Sequence, residues 1–203
     1  MQNNKYTTDF VKRKIDKWAD YMVEFDLPSW DSLPSIGLYM DQVITLMSQY
    51  LGYLPFSESK NSESFITPNA INNYVRLGAM PAPFKKKYYK LHIAYLIMIC
   101  VMKPSLSISD IADVIPSDLT EEQLEALYTR FRDSHKSTSY NLVKYLSAEI
   151  EDPKSDSDVA EIIINSAITA SLCKRLTEKT SALKGLKDEK AEAEMRAKAS
   201  KQK

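Results

Sequence analysis

Two groups of side chains in this sequence have the types and spacing for chemistry on a polyanion. The first is Asn69, Asn72, Asn73 and Arg76 in TPNAINNYVRLG. At helical spacing these four share one side, and Ile71, Tyr74 and Val75 share the other. An asparagine amide can pair with both hydrogen-bonding atoms of an adenine edge, and an arginine with those of a guanine, in a major groove wide enough for a helix. The second group is Lys85, Lys86, Lys87 and Lys90 in FKKKYYK. Their ammonium groups suit phosphate, a contact that fixes position without reading sequence. A bland reading stands beside each: a solvated helix face and a solvated turn. Adjacent asparagines in mid-helix weigh against the first, because asparagine is a mediocre helix former and a merely solvated face leaves its cost unexplained.

The distribution of charge weighs the same way. Net charge is zero over 203 residues, yet residues 64–109 carry six basic side chains and no Asp or Glu. Their net charge of +6 lies between −3 for residues 1–63 and −8 for 110–161, and residues 162–203 carry +5. A carboxylate facing phosphate would repel it, so a block without one favours a polyanionic partner.

Other chemistry has little to build on. His92 and His135 are the only histidines, and neither has Cys, Asp or Glu at ligand spacing, so no metal and no cofactor is expected. Phosphate-loop, dinucleotide, nucleophile-elbow and zinc-protease motifs are missing. Glu121 and Glu122 read as helix N-terminal charges stabilised by the dipole, not as catalytic acids. A binding protein is expected rather than an enzyme. Cys100 and Cys173 lie in apolar helical patterns and read as reduced core thiols of a cytoplasmic protein. The most apolar run, Ile93 to Met102, is ten residues long, against roughly 20 to span a bilayer, and reads as a helix buried on all sides. The N-terminus lacks the apolar core of a signal peptide, so neither secretion nor a membrane partner is expected. Trp18, Trp30, Tyr39, Tyr50 and Tyr53 read as core ahead of a ligand pocket, and Tyr88 and Tyr89 as core or wing-anchoring residues ahead of base stacking.

The elements that must position these groups are helices. Only four glycines occur, Leu, Ala, Lys, Glu and Met are plentiful, and strand-like alternation is missing, which predicts an all-α protein. Val11, Ile15, Trp18, Met22 and Phe25 mark an amphipathic helix over 8–25; PSWDSLP is a turn; a second helix runs from after Pro34-Ser35 to near Gly52. The polar run 55–64 reads as a flexible loop. Thr67-Pro68 then starts a helix over 68–77, and Gly78 ends it. A buried helix over about 91–102 follows. Ser107 and Asp110, then Thr120 and Gln123, have the spacing of capping boxes at two further starts. Helices through LEALYTRF and from about Thr138 to Glu151, joined by RDSHKSTS, predict an antiparallel hairpin. After EDPKSDSD a long helix begins at Val159, with Ile162, Ile163, Ala167, Ala170, Cys173 and Leu176 as its apolar positions. Its heptads are interrupted by polar residues, so no regular coiled coil is expected. Residues 187–203 have helical composition but almost nothing to bury, which predicts a disordered charged tail.

INNYVRLGAMP, KYYKLHIAYLIMI and LSISDIADVI together resemble the DNA-binding module of the mercury-resistance regulator (MerR) class. Tyr74, Gly78 and Pro81 fit the first part of that class's pattern, Tyr88, Leu96 and Ile99 the second, and Ser107, Ile108 and Ile111 the third. Over LYMDQVITLM, ITPNAINNYVRLGAMPAP and KKYY the chain is also similar to the bacterial family called domain of unknown function 1836. The MerR likeness implies a helix-turn-helix with a short wing and a C-terminal helical region. With the periodicity and composition above, it divides the chain into an N-terminal amphipathic helix over 1–27, which the MerR class does not carry ahead of its DNA-binding domain, a MerR-like domain over 28–118, a regulatory or dimerisation region over 119–186 and a tail over 187–203. The function it implies is a cytoplasmic transcriptional regulator on double-stranded DNA. Its recognition helix is at 68–77, its basic wing at 84–90, and its candidate homodimer interface at 157–180. The sequence names no operator and no small-molecule effector. The competing expectation is a helical protein–protein interaction module without DNA binding, its asparagine face and basic block meeting an acidic partner.

Overall fold

A computed structural model of the chain describes residues 8–52, 54, 66–149 and 156–184. The predicted loop at 55–64 and the tail at 187–203 lie outside these. The protein is all-α. In order come α1 (Thr8–Glu24), a 3-10 turn (Trp30–Ser32), α2 (Met40–Tyr50), α3 (Pro68–Arg76), α4 (Lys90–Met102), α5 (Ile108–Val114), α6 (Glu121–Glu149) and α7 (Asp156–Lys184). No strand forms among the described residues; two isolated bridges join Leu38 to Tyr88 and Phe84 to Lys87.

The organising element is α4. Every residue from His92 to Cys100 is buried, so the helix has no solvated stripe and its apolar run is spent on packing. Helices α2, α5 and α6 pack around it. One apolar cluster runs from Leu27 to Tyr128 and takes Val43 and Met47 from α2, Ile71 and Tyr74 from α3, Ile111 from α5 and Leu124 from α6. Its tyrosines satisfy their polar ends: the Tyr95 hydroxyl donates to Pro116 O at 2.7 Å and that of Tyr128 to Pro28 O at 2.8 Å. Ser107 with Asp110, and Thr120 with Gln123, form the two reciprocal caps expected of them.

The structure corrects the sequence reading in four places. The hairpin expected over 121–151 is instead one helix, α6, of 29 residues. RDSHKSTS contains neither Gly nor Pro, so nothing in it stops a helix. Its polarity serves a contact: Arg132 donates to Leu27 O at 2.9 Å and to Asp26 at 2.6 Å, Lys136 reaches Asp26 at 3.2 Å, and the His135 ring lies edge-on to Phe25. These side chains recur at helical spacing and close the C-terminal end of α1. Helix α2 starts at Met40, later than expected, because Leu38 is held extended by two 2.8 Å backbone bonds with Tyr88. Cys173 is exposed rather than core, although Cys100 is buried and its thiol is pushed up to about 12 by that burial. Trp30 is buried as expected, but Trp18 and Tyr39 are exposed.

Candidate functional site

Helix α3 is built as its sequence predicts. Thr67 Oγ1 accepts from Ala70 N–H at 3.2 Å, and Pro68 takes the first turn, where its missing donor leaves no gap. At the other end Ala79 N–H returns to Tyr74 O at 2.9 Å and Gly78 N–H to Val75 O at 3.1 Å, the paired bonds of a Schellman stop. Gly78 provides the left-handed φ of 72° that this stop needs. Ile71 and Tyr74 anchor the inner side; burial, with Cys100 nearby, pushes the Tyr74 hydroxyl up to about 12 and keeps it neutral. On the outer side Asn69, Asn72 and Arg76 are exposed, and Asn73 is half-buried. Arg76 Nη2 donates to Asn73 Oδ1 at 2.6 Å, which fixes the guanidinium along the helix surface.

The lysines form a second, separate construction. Lys87 N–H donates to Phe84 O at 2.9 Å, closing a two-residue turn in which Lys85 and Lys86 have φ of 49° and 63°. Two successive positive φ values are the signature of the type I′ turn, a place usually given to Asn-Gly. Left-handed geometry costs an L-residue roughly 1–2 kcal/mol, so two lysines here are an outlier that local stability does not explain. Lys85 and Lys86 are exposed, whereas Lys87 and Lys90 are half-buried. The ammonium of Lys87 sits 5.2 Å from the centre of the Tyr39 ring, and that of Lys90 5.4 Å from Trp30. The four lysines therefore divide into an exposed pair at the tip and a pair that braces the base.

That base is stiff. Tyr88 is buried and exchanges both backbone bonds with Leu38. Gly37 lies under the turn, where a Cβ would stand 2.8 Å from Tyr89 Cζ and 3.0 Å from Lys87 Cβ, so any larger residue would have to push these side chains aside. His92 ties α4 to the approaching strand-like segment. Its Nδ1 accepts from Tyr89 N–H at 3.0 Å, which leaves the proton on Nε2 to donate to Ala82 O at 3.1 Å. Burial holds this histidine below its ordinary value of 6.5, against the opposing pull of the two backbone bonds, so it is neutral near pH 7.

Phe84 was not singled out by the sequence, yet it is exposed at the tip with the Lys85 ammonium 5.2 Å from its ring centre. A phenylalanine beside three lysines is the only signal, and apolar residues default to core. Among the described residues no group of three His, Cys, Asp or Glu is placed to hold a metal ion, and no helix is long and apolar enough to cross a membrane.

Residues 28–131 match the family model described as Domain of unknown function (DUF1836). The chain belongs to this family. The match covers about half of the chain and coincides with the apolar cluster from Leu27 to Tyr128, so the family is the module packed around α4. Both candidate groups fall inside it, and α1 and α7 fall outside. No match was found among curated proteins or among solved structures.

Proposed function

We propose that this chain is a sequence-specific regulator of transcription that binds double-stranded DNA in the cytoplasm. In this reading α3 is the recognition helix of a MerR-like helix-turn-helix, and residues 84–90 are its short basic wing. Asn69, Asn72, Asn73 and Arg76 meet base edges, and Lys85 and Lys86 meet phosphate. Lys87 and Lys90 hold the wing's base and add charge. The observation that carries the reading is the Lys85-Lys86 turn: an exposed cationic tip in costly left-handed geometry, within a 46-residue block that has no carboxylate. Backbone strain of this kind collects at functional sites. Operators read by such modules are commonly two-fold, so the reading includes a homodimer through 157–180.

Exposed Phe84, Tyr39, Ile36 and Leu77 favour one rival, a module that docks on an acidic protein surface. Enrichment from a pool of random-sequence duplexes separates the two. The regulator reading expects a recurring motif after several rounds, and its loss in the Asn72→Ala, Arg76→Ala double variant. A pool that stays random, with binding no stronger than that of a neutral protein, favours the protein partner.

A further inference from the structure

Four side chains of α3 face the bases in the reading above, and one hydrogen bond divides them. Arg76 Nη2 donates to Asn73 Oδ1 at 2.6 Å, a charge-assisted bond between residues three apart on one helix. A guanidinium has donors only, so the amide turns its oxygen towards it. Pairing with an adenine edge needs that same oxygen for the N6 amine, and the amide nitrogen for N7. Asn73 is also half-buried, whereas Asn69, Asn72 and Arg76 are exposed. Asn73 is therefore placed to serve Arg76 ahead of a base.

Arg76 gains from the contact. The bond uses one N–H of Nη2 and leaves a second on Nη2 and two on Nη1, enough for the parallel pair of bonds that meets guanine O6 and N7. Adenine presents an amine where guanine presents O6, so a fork of donors tells the two apart. An arginine free to rotate loses that freedom when it binds, and one already held by a neighbour loses less. The support here is an amide, which orients the guanidinium without neutralising it, and residues 64–109 hold no Asp or Glu that would. Asn69 and Asn72 carry no such tie to Arg76 and keep both atoms of their amides for adenine.

We propose that Arg76 reads one guanine, that Asn73 is its positioning residue, and that Asn69 and Asn72 read adenine. Asn69 and Arg76 are seven residues apart, about 10 Å along the helix and so about three base steps. The preferred site then holds a G·C pair within about three steps of one or two A·T pairs. This assignment rests on the DNA-binding reading above and names the bases its site prefers.

Selection from random duplexes, with the full chain and its variants, gives the base preference position by position. Arg76→Ala should abolish the guanine preference and leave the adenines. Asn73→Ala should weaken the same guanine preference about threefold to tenfold, leave the adenines, and add nothing in the Arg76→Ala background. Asn73→Asp keeps an acceptor facing Arg76, so the guanine preference should return, while the added negative charge lowers affinity for every duplex alike. An Asn73 that read a base itself would behave otherwise: Asn73→Ala would erase an adenine position of its own, and Asn73→Asp would convert it to cytosine, whose N4 amine a carboxylate accepts. Either of those results, or an Asn73→Ala profile equal to the parent's, overturns the proposal. A second measurement needs no DNA. Nitrogen-15 relaxation at Arg76 Nε–H should show an ordered side chain in the parent and a mobile one in Asn73→Ala, at unchanged helical content by circular dichroism. Equal mobility in the two overturns the positioning role. An ordered Arg76 in a chain that selects no motif leaves the bond to Asn73 in place but removes the regulator reading, and the base assignment with it.

Discussion

Arg76 and His92 occupy opposite ends of the same problem, one exposed and one buried, and substitution separates their roles. Arg76 is exposed and bonded along its own helix to Asn73, so Arg76→Ala should change stability by no more than about 0.5 kcal/mol. On a preferred DNA site the same change should lower affinity by roughly 1–3 kcal/mol, and by much less on random duplex. Urea unfolding checks the first figure and competition binding the second; a large stability loss would make Arg76 structural. His92 acts on pH. Its folded value is lowered, as is that of His135, in both cases mainly by burial, so as pH falls through 6.5 the unfolded chain takes up protons first. Stability is therefore full above about 6.5 and declines below it towards the folded values. Asp26 adds a later loss. Burial raises it, but its bonds to Arg132 and Lys136 prevail and lower it below 3.8, so its contribution is lost only as pH falls through that lower value. Gln42 and Gln123 make the same backward cap elsewhere that His92 makes to Tyr89, so His92→Gln should fold and flatten the decline between pH 7 and 5. An unchanged slope would show that His92 does not titrate on unfolding. The candidate residues were readable because their types carry the chemistry; which lysines are exposed was not, since Tyr39 and Trp30 come to Lys87 and Lys90 from distant segments.

The elements divide by how local their causes are. Helix α3 and the caps of α5 and α6 were legible residue by residue, because Thr67, Gly78, Ser107 and Thr120 act within four or five positions of themselves. The start of α2 and the unbroken α6 were not. Each is decided by a partner far along the chain, Tyr88 for the first and residues 25–28 for the second. Cys173 was misplaced for a related reason: apolar periodicity identifies a side of α7 but not whether this chain covers it. The lysine turn gives the sharpest test at this scale. Replacing Lys85-Lys86 by Asn-Gly fits the turn's geometry better and should stabilise the fold by about 1 kcal/mol. If the tip grips phosphate, the same variant should bind DNA more weakly. A turn that gains stability and loses nothing else is an ordinary solvated turn.

At the scale of the molecule, the family module from 28 to 131 holds the core and both candidate groups, and α1 and α7 are added outside it. The all-α class was legible from composition and periodicity, and the basic block from simple counting; how the block is presented needed the packing of α4 against everything around it. If this block meets the phosphates of DNA, its binding must respond to ionic strength. Affinity of the full chain for duplex DNA should be measured from about 50 to 200 mM salt, beside the Lys85→Ala, Lys86→Ala double variant. Log affinity of the parent should fall steeply and linearly with log salt. The variant should bind every duplex more weakly by a similar factor, with the slope reduced by about 0.9 for each phosphate it no longer neutralises, so by up to about 2. Sequence preference should be unchanged. Binding that is absent or insensitive to salt in the parent, or a variant with the parent's slope, would contradict it.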